Sequence, residues 1–169
     1  FKNILFIGRF EKQKNLEFLL KSFKNLNLKN QYKLFLIGDG SLSNELKKLC
    51  KKLNINNYVN FLGHKKNVNM FLRKADYFVL TSNWEGFGNV LVEALYFNNK
   101  VISSDCDFGP AEILKNGKLG KLYKMNNFLN FKNQFLNFKK NKPIFRGDLS
   151  SYYTSNVTKK YTEIIENKV

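Results

Sequence analysis

Short apolar runs alternate with amphipathic stretches along most of this chain, and that alternation constrains the fold more than any other feature. Residues 4–10, ILFIGRF, read as a buried strand that ends in a glycine. Residues 15–26, NLEFLLKSFKNL, place Leu16, Leu19, Leu20 and Phe23 on one helical face. The same rhythm continues with a strand over 32–40 (YKLFLIGDG) and a helix over 41–55, which Ser41 or Ser43 can cap. A strand over 58–63, a short helix near 67–74 and a strand over 76–82 follow. A helix to about residue 97, a strand over 100–105 and a helix start at 109–114 complete the regular part.

Apolar strands separated by helices mean βαβ units, so the expected class is α/β, with a Rossmann-like parallel sheet and helices on both faces. In such sheets ligands sit beyond the carboxyl ends of the strands. The residues suited to chemistry fall there: Gly8–Arg9, Gly38–Gly40, Ser82–Asn89 and Asp105–Glu112. Beyond about 125 the pattern changes. Residues 126–140 are Phe/Leu periodic with a basic opposite face, a break follows at Pro143–Gly147, and the final segment is polar. The 169 residues suffice for one packed domain, without a linker long enough for a second.

Three segments carry candidate chemistry. In SNWEGFGNVLVEAL (82–95), Gly86 and Gly88 allow unusual backbone angles and close ligand approach. A helix starting near Asn89 would aim free N–H groups at phosphate or sugar oxygens. Glu85 then lies in the loop and Glu93 about one turn inside the helix, where carboxylates suit the hydroxyls of a sugar or ribose. Read without other context, the same acids also suit a solvated loop and a helix surface. In GRFEKQK (8–14), Arg9 and Lys14 can clamp a diphosphate, although a chain with 29 basic residues offers such pairs by chance. In GPAE (109–112), Gly109, Pro110 and Glu112 serve equally as helix-start chemistry or as a second helix end at the same sheet edge.

Taken in order, GRFEKQKN, IGDGSLSNEL, VNFLGH, ADYFVLTSNWEGFGNVLVEAL, KVISSDCDFGPAEIL and NGKLGKLY resemble the carboxy-terminal half of family 4 retaining glycosyltransferases. That family has the GT-B architecture, and the resemblance runs from about residue 4 to 125. It implies that residues 1–169 form the nucleotide-sugar (donor) binding domain, with C-terminal helices at about 126–169. The segment 82–95 resembles the family's E-x7-E motif. On that resemblance Arg9 and Lys14, after Gly8, bind the donor diphosphate and stabilise its charge. Glu85 contacts donor-sugar hydroxyls, Glu93 holds the ribose, and the amides of Phe87, Gly88, Asn89 and Val90 face sugar and phosphate. The family's usual glycine after the motif lysine is Asn15 here. The SDCDFGPAEIL form resembles members that build bacterial surface polysaccharides and glycan chains from UDP-sugars, including N-acetylhexosamines. Nothing in the chain matches an amino-terminal acceptor domain, so the chain alone is expected to bind donor and transfer little or nothing. The implied acceptor is a glycan or lipid-linked glycan.

Charge and cysteine content bound the alternatives. The net charge of +16 suits nucleic acid, an anionic membrane or phosphorylated ligands. It is spread over scattered lysines, however, and the Arg/aromatic signatures of common RNA-binding folds are missing, so nucleic acid is not the expected partner. A non-catalytic basic module for RNA or anionic membrane is the rival reading, and a GT-B-like sugar-nucleotide epimerase a more distant one. Cys50 and Cys106 form no CxxC, and His64 has no partner at ligand spacing. No zinc site, disulfide framework or Asp-x-Asp metal motif is therefore expected, and neither is a required cofactor. A cytoplasmic setting is the expectation, with the basic segment 126–142 offering peripheral contact to the inner membrane face. The chain opens on Phe1 inside an apolar run and reads as a piece of a longer polypeptide.

Overall fold

The computed structural model describes residues 1–140. The expected strands appear as β1 (Lys2–Ile7), β2 (Tyr32–Ile37), β3 (Val59–Gly63), β4 (Tyr77–Leu80) and β5 (Lys100–Ser104). The helices are α1 (Leu16–Asn25), α2 (Ser43–Lys52), α3 (Asn69–Lys74), α4 (Asn89–Tyr96), α5 (Pro110–Ile113) and α6 (Phe128–Lys140). A sixth strand, β6 (Lys121–Tyr123), was not expected from the sequence. It is three residues long and gains its extended form from pairing with Ile102–Ser104 rather than from an apolar run of its own. The Pro143–Gly147 break and the polar segment after it lie outside the described residues.

All the strand pairs are parallel, in the order β3-β2-β1-β4-β5-β6. Register determines what each face carries. Ile4 pairs with Leu34 and Tyr77, and Tyr77 pairs with Lys100, so these side chains share one face. Leu5, Phe35, Phe78 and Val101 occupy the other. Every residue of β4 and β5 is buried, as expected of strands covered on both sides.

The face bearing Tyr32 and Tyr77 is closed by α6. Phe135 lies 5.0 Å, centroid to centroid, from Tyr77 and 5.5 Å from Tyr32. Phe131 meets Tyr123 edge-on at 5.0 Å, and Phe18 of α1 stacks on that same tyrosine at 5.7 Å. The phenylalanine stripe of 126–140 is thus core: Phe131, Phe135 and Phe138 are all buried. Only Leu129 and Leu136 remain as large exposed apolar groups on this helix. Lys100, itself buried, donates to the Phe138 carbonyl at 2.7 Å near the carboxyl end of α6. Burial lowers its pKa below the usual lysine range.

Capping of α2 differs from expectation. Its N-cap is Leu42, without a side-chain cap. Ser41 instead binds the Glu11 carboxylate through its amide (2.8 Å) and hydroxyl (2.7 Å), and Ser43 Oγ bonds Asp39. A capping hydroxyl would accept from the free N–H groups of the helix start, but here both serine hydroxyls donate to ionised carboxylates, and these charge-assisted bonds are the stronger. Those bonds also hold both acids below their ordinary carboxylate pKa.

Phe135 is fully buried in an aromatic cluster, so truncation leaves a large cavity. Phe135→Ala should lower unfolding free energy by about 3–5 kcal/mol, read as a shifted midpoint in urea denaturation.

Candidate functional site

The loops that leave the carboxyl ends of β1, β2, β4 and β5 are laced together side by side. Between the first two, Phe10 N donates to Asp39 O (2.8 Å) and Leu42 N to Phe10 O (3.0 Å). Gly38 permits this approach: a Cβ there would lie 1.9 Å from Gly8 O, and its φ is +136°. Between the β1 and β4 loops, Asn83 N donates to Gln13 O (2.8 Å), Gln13 Nε2 to Trp84 O (2.8 Å) and Thr81 Oγ1 to Lys14 O (2.7 Å). Toward β5, Ser104 Oγ donates to Ser82 O (2.6 Å). Gly109 lies so close that a Cβ would meet Phe87 O at 1.7 Å.

This lacing brings Lys14 and Glu85 together. Lys14 Nζ lies 2.5 Å from Glu85 Oε1, and the two side chains are 13% and 7% exposed. Ser82 Oγ, fully buried, donates to the same carboxylate oxygen at 2.5 Å. The stem of Lys14 crosses above Gly8, where a Cβ would stand 3.4 Å from Lys14 Cε. Arg9, by contrast, is exposed. It lines an open cleft of about 400 Å³ with Gly8, Gly38, Asp39, His64 and Lys65. A second cavity, of about 180 Å³, lies between the sheet and α3, lined by Leu5, Phe35, Met70 and Phe71 with Asn3 and Lys74 at its edge. It shares no lining residue with the cleft at Gly8 and Arg9.

Gly88, at φ +90°, is the N-cap of α4, so the amides beginning with Asn89 head that helix as expected. Gly86 is not in the left-handed region and faces open space. Phe87 and Val90 are half-buried and Asn89 exposed. Glu93, inside α4, is exposed at its surface, while the protein mass near its carboxyl raises its pKa by desolvation. Gly109 caps α5, with Pro110 and Glu112 in its first turn. Exposed Trp84 and Phe108 stand at the mouth of these loops.

Asn15 occupies the left-handed region at φ 48°, ψ 46°, which explains why a glycine suits this position. Asparagine tolerates the conformation and adds bonds that glycine lacks: Nδ2 donates to Asn83 Oδ1 (3.2 Å) and Asn126 Oδ1 (2.7 Å). It thereby ties the β1 and β4 loops to the turn before α6. The sequence reading gave His64 and Lys65 no place in the site, whereas Asp39 fell within the Gly38–Gly40 turn it had singled out. The rule that ligands gather at strand carboxyl ends would have found these two, since they follow β3 directly. Among the described residues no group of three or more His, Cys, Asp or Glu side chains is placed to hold a metal ion.

The family model described as Glycosyl transferases group 1 matches residues 1–159. The chain belongs to that family. It is 48% identical over 109 residues to an uncharacterized glycosyltransferase of Methanocaldococcus jannaschii, covering 64% of this chain and 27% of the relative. It is 35% identical over 126 residues to the Campylobacter jejuni N-acetylgalactosamine-N,N'-diacetylbacillosaminyl-diphospho-undecaprenol 4-alpha-N-acetylgalactosaminyltransferase, covering 75% and 34%. The fold matches the lipopolysaccharide outer core galactosyltransferase WaaB at a TM-score of 0.83 and 24% identity, over 99% of this chain and 50% of that one. The architecture is that of GT-B glycosyltransferases, as the resemblance implied. The chain spans about a quarter to a third of the length of these curated relatives.

Asn15→Ala should cost roughly 2 kcal/mol of stability, from left-handed strain and lost bonds, and Asn15→Gly about half of that. Thermal unfolding of both variants checks the order.

Proposed function

We propose that this chain is the donor-binding domain of a family 4 retaining glycosyltransferase and that it takes a UDP-sugar or another nucleoside-diphosphate sugar. The observation that carries the reading is the meeting of Lys14 and Glu85 beside the open cleft at Gly8 and Arg9. It joins a cation suited to diphosphate with an acid suited to sugar hydroxyls at one strand edge. Support for UDP comes by analogy from a neighbour of similar fold, Anabaena HepE in complex with UDP and glucose, at a TM-score of 0.74 and 22% identity.

In this reading the bond between the anomeric carbon and the diphosphate oxygen breaks, and the diphosphate leaves with the electron pair. Arg9 and Lys14 stabilise the charge that develops on it, which is electrostatic catalysis at a leaving group. Glu85 accepts hydrogen bonds from the sugar hydroxyls and Glu93 from the ribose. The amides of Phe87, Gly88, Asn89 and Val90, at the turn into α4, face the sugar and phosphate. The acceptor oxygen forms the new bond and gives up its proton. With two cations in place, the chemistry requires no metal. The acceptor is a glycan or lipid-linked glycan, and residues 1–169 by themselves bind donor and transfer little. The product is a hexosyl or N-acetylhexosaminyl linkage in surface polysaccharide or glycan synthesis. The setting is the cytoplasm; any contact with the inner membrane face would use Leu129, Leu136 and the α6 lysines, since the phenylalanines are core.

Calorimetric titration with UDP tests this. Binding is expected in the micromolar to millimolar range, weakened about tenfold by Glu93→Ala and by Lys14→Ala. Absence of binding to every nucleoside diphosphate, together with tight, salt-sensitive RNA binding, would replace the transferase reading with the basic-module one.

Glu93 also gives a pH signature. Desolvation favours its neutral form and raises its pKa above 4.5. The ionised acceptor is therefore lost earlier on acidification than for an ordinary glutamate. UDP affinity should fall as pH drops into that raised range, and Glu93→Gln should flatten this part of the profile.

A further inference from the structure

Glu85 is held in an unusual way. Both of its described side-chain bonds arrive on one oxygen, Oε1, from Lys14 Nζ and Ser82 Oγ, each at 2.5 Å. A carboxylate oxygen offers two lone-pair directions, so Oε1 is committed to the protein. We infer that Ser82 is a positioning residue for donor-sugar recognition, fixing Glu85 so that Oε2 is the oxygen presented to the sugar. This rests on the proposed donor-binding function.

Two features separate Ser82 from an ordinary buried serine. Its backbone is anchored independently, because Ser104 Oγ of β5 donates to Ser82 O at 2.6 Å. The hydroxyl that orients Glu85 therefore stands two residues beyond β4, on backbone tied to the end of β5. The second feature is the nature of its partner cation. Lys14 carries a mobile point charge that an incoming diphosphate draws upon, so its bond to Glu85 is shared or lost when donor binds. Ser82 is neutral and has no such competing anion. Its bond persists through binding, and Glu85 keeps its orientation while Lys14 turns to the phosphate. The pair divides the work: Lys14 compensates the buried carboxylate in the free protein, and Ser82 aims it in the complex.

The test compares UDP with UDP-N-acetylglucosamine and UDP-glucose by calorimetry, in wild type, Ser82→Ala, Glu85→Ala and the double variant. Ser82→Ala should leave UDP affinity within about twofold while erasing the increment the better-bound UDP-sugar has over UDP, a loss of roughly fivefold to tenfold. In the Glu85→Ala background, Ser82→Ala should cost nothing more, because its effect runs through Glu85. Ser82→Thr, which keeps a hydroxyl, should restore part of the increment. Equal losses for UDP and UDP-sugar, an undiminished increment in Ser82→Ala, or an undiminished effect in the Glu85→Ala background would each overturn the inference. Failure of wild type to bind UDP at all would instead overturn the donor-binding function beneath it. Thermal unfolding of each variant distinguishes a folding defect, and a folded Ser82→Ala with unchanged sugar discrimination also counts against Ser82.

Discussion

Lys14 and Glu85 are separated by 71 positions in the chain, and they meet because β1 and β4 are neighbours in the sheet. That adjacency is the constraint on which the rest depends. The order β3-β2-β1-β4-β5-β6 reverses direction between β1 and β4, so the connections that leave these strands diverge to opposite sides. A crevice opens where they part, and polar residues in the two loops face it. A different strand order would keep every helix and strand and still destroy the site, since no local feature brings residue 14 to residue 85.

Adjacency alone does not align side chains, and the loops supply the rest through backbone contact. Gly38 against Gly8 and Gly109 against Phe87 allow main chains to touch where any Cβ would intrude. Asparagine 15 performs a related service with a side chain: it bends the chain left-handed and spends its amide on Asn83 and Asn126. Because the loops hold each other, little of their order depends on a ligand. A preorganised edge of this kind lowers the entropic cost of binding, as the groups that meet the ligand are already fixed.

Much of this was legible in the sequence, for identifiable reasons. The strands β1, β2 and β4 each carry a four-residue apolar run (ILFI, LFLI and YFVL) in the covered sheet, and such runs announce themselves. The Leu16, Leu19, Leu20 and Phe23 stripe is buried in α1 as its period requires. Strand β6 escaped notice because Lys121–Tyr123 has no pattern of its own and is defined by its neighbour. The Ser41 cap failed for a similar reason: the competing acceptor, Glu11, lies 30 positions away. Tertiary partners overrode local signals in both cases. The Phe131, Phe135 and Phe138 spacing was visible, but whether it faced lipid or core was decided by Tyr32, Tyr77 and Tyr123, which no helical periodicity reveals.

The charge of the chain takes on a different meaning at this resolution. Most of the lysines that make up the +16 are exposed and interact with water, where each costs little and specifies little. Lys14 differs because it is mostly buried, and a buried ammonium requires a partner to offset lost hydration. Glu85 meets that need in the free protein, and each ion makes the other tolerable. On the proposed function, a donor diphosphate would add negative charge beside a cation already desolvated, so attraction would be gained without a second dehydration of Lys14. Arg9 has no such preparation; it stands exposed at the cleft and, on the same proposal, would have to shed water to bind. The two cations are therefore unequal by construction, one preorganised within the protein and one recruited from solvent. Net charge measures neither property, which is why the bulk electrostatics of the chain left its ligand unnamed while a single buried pair points to it.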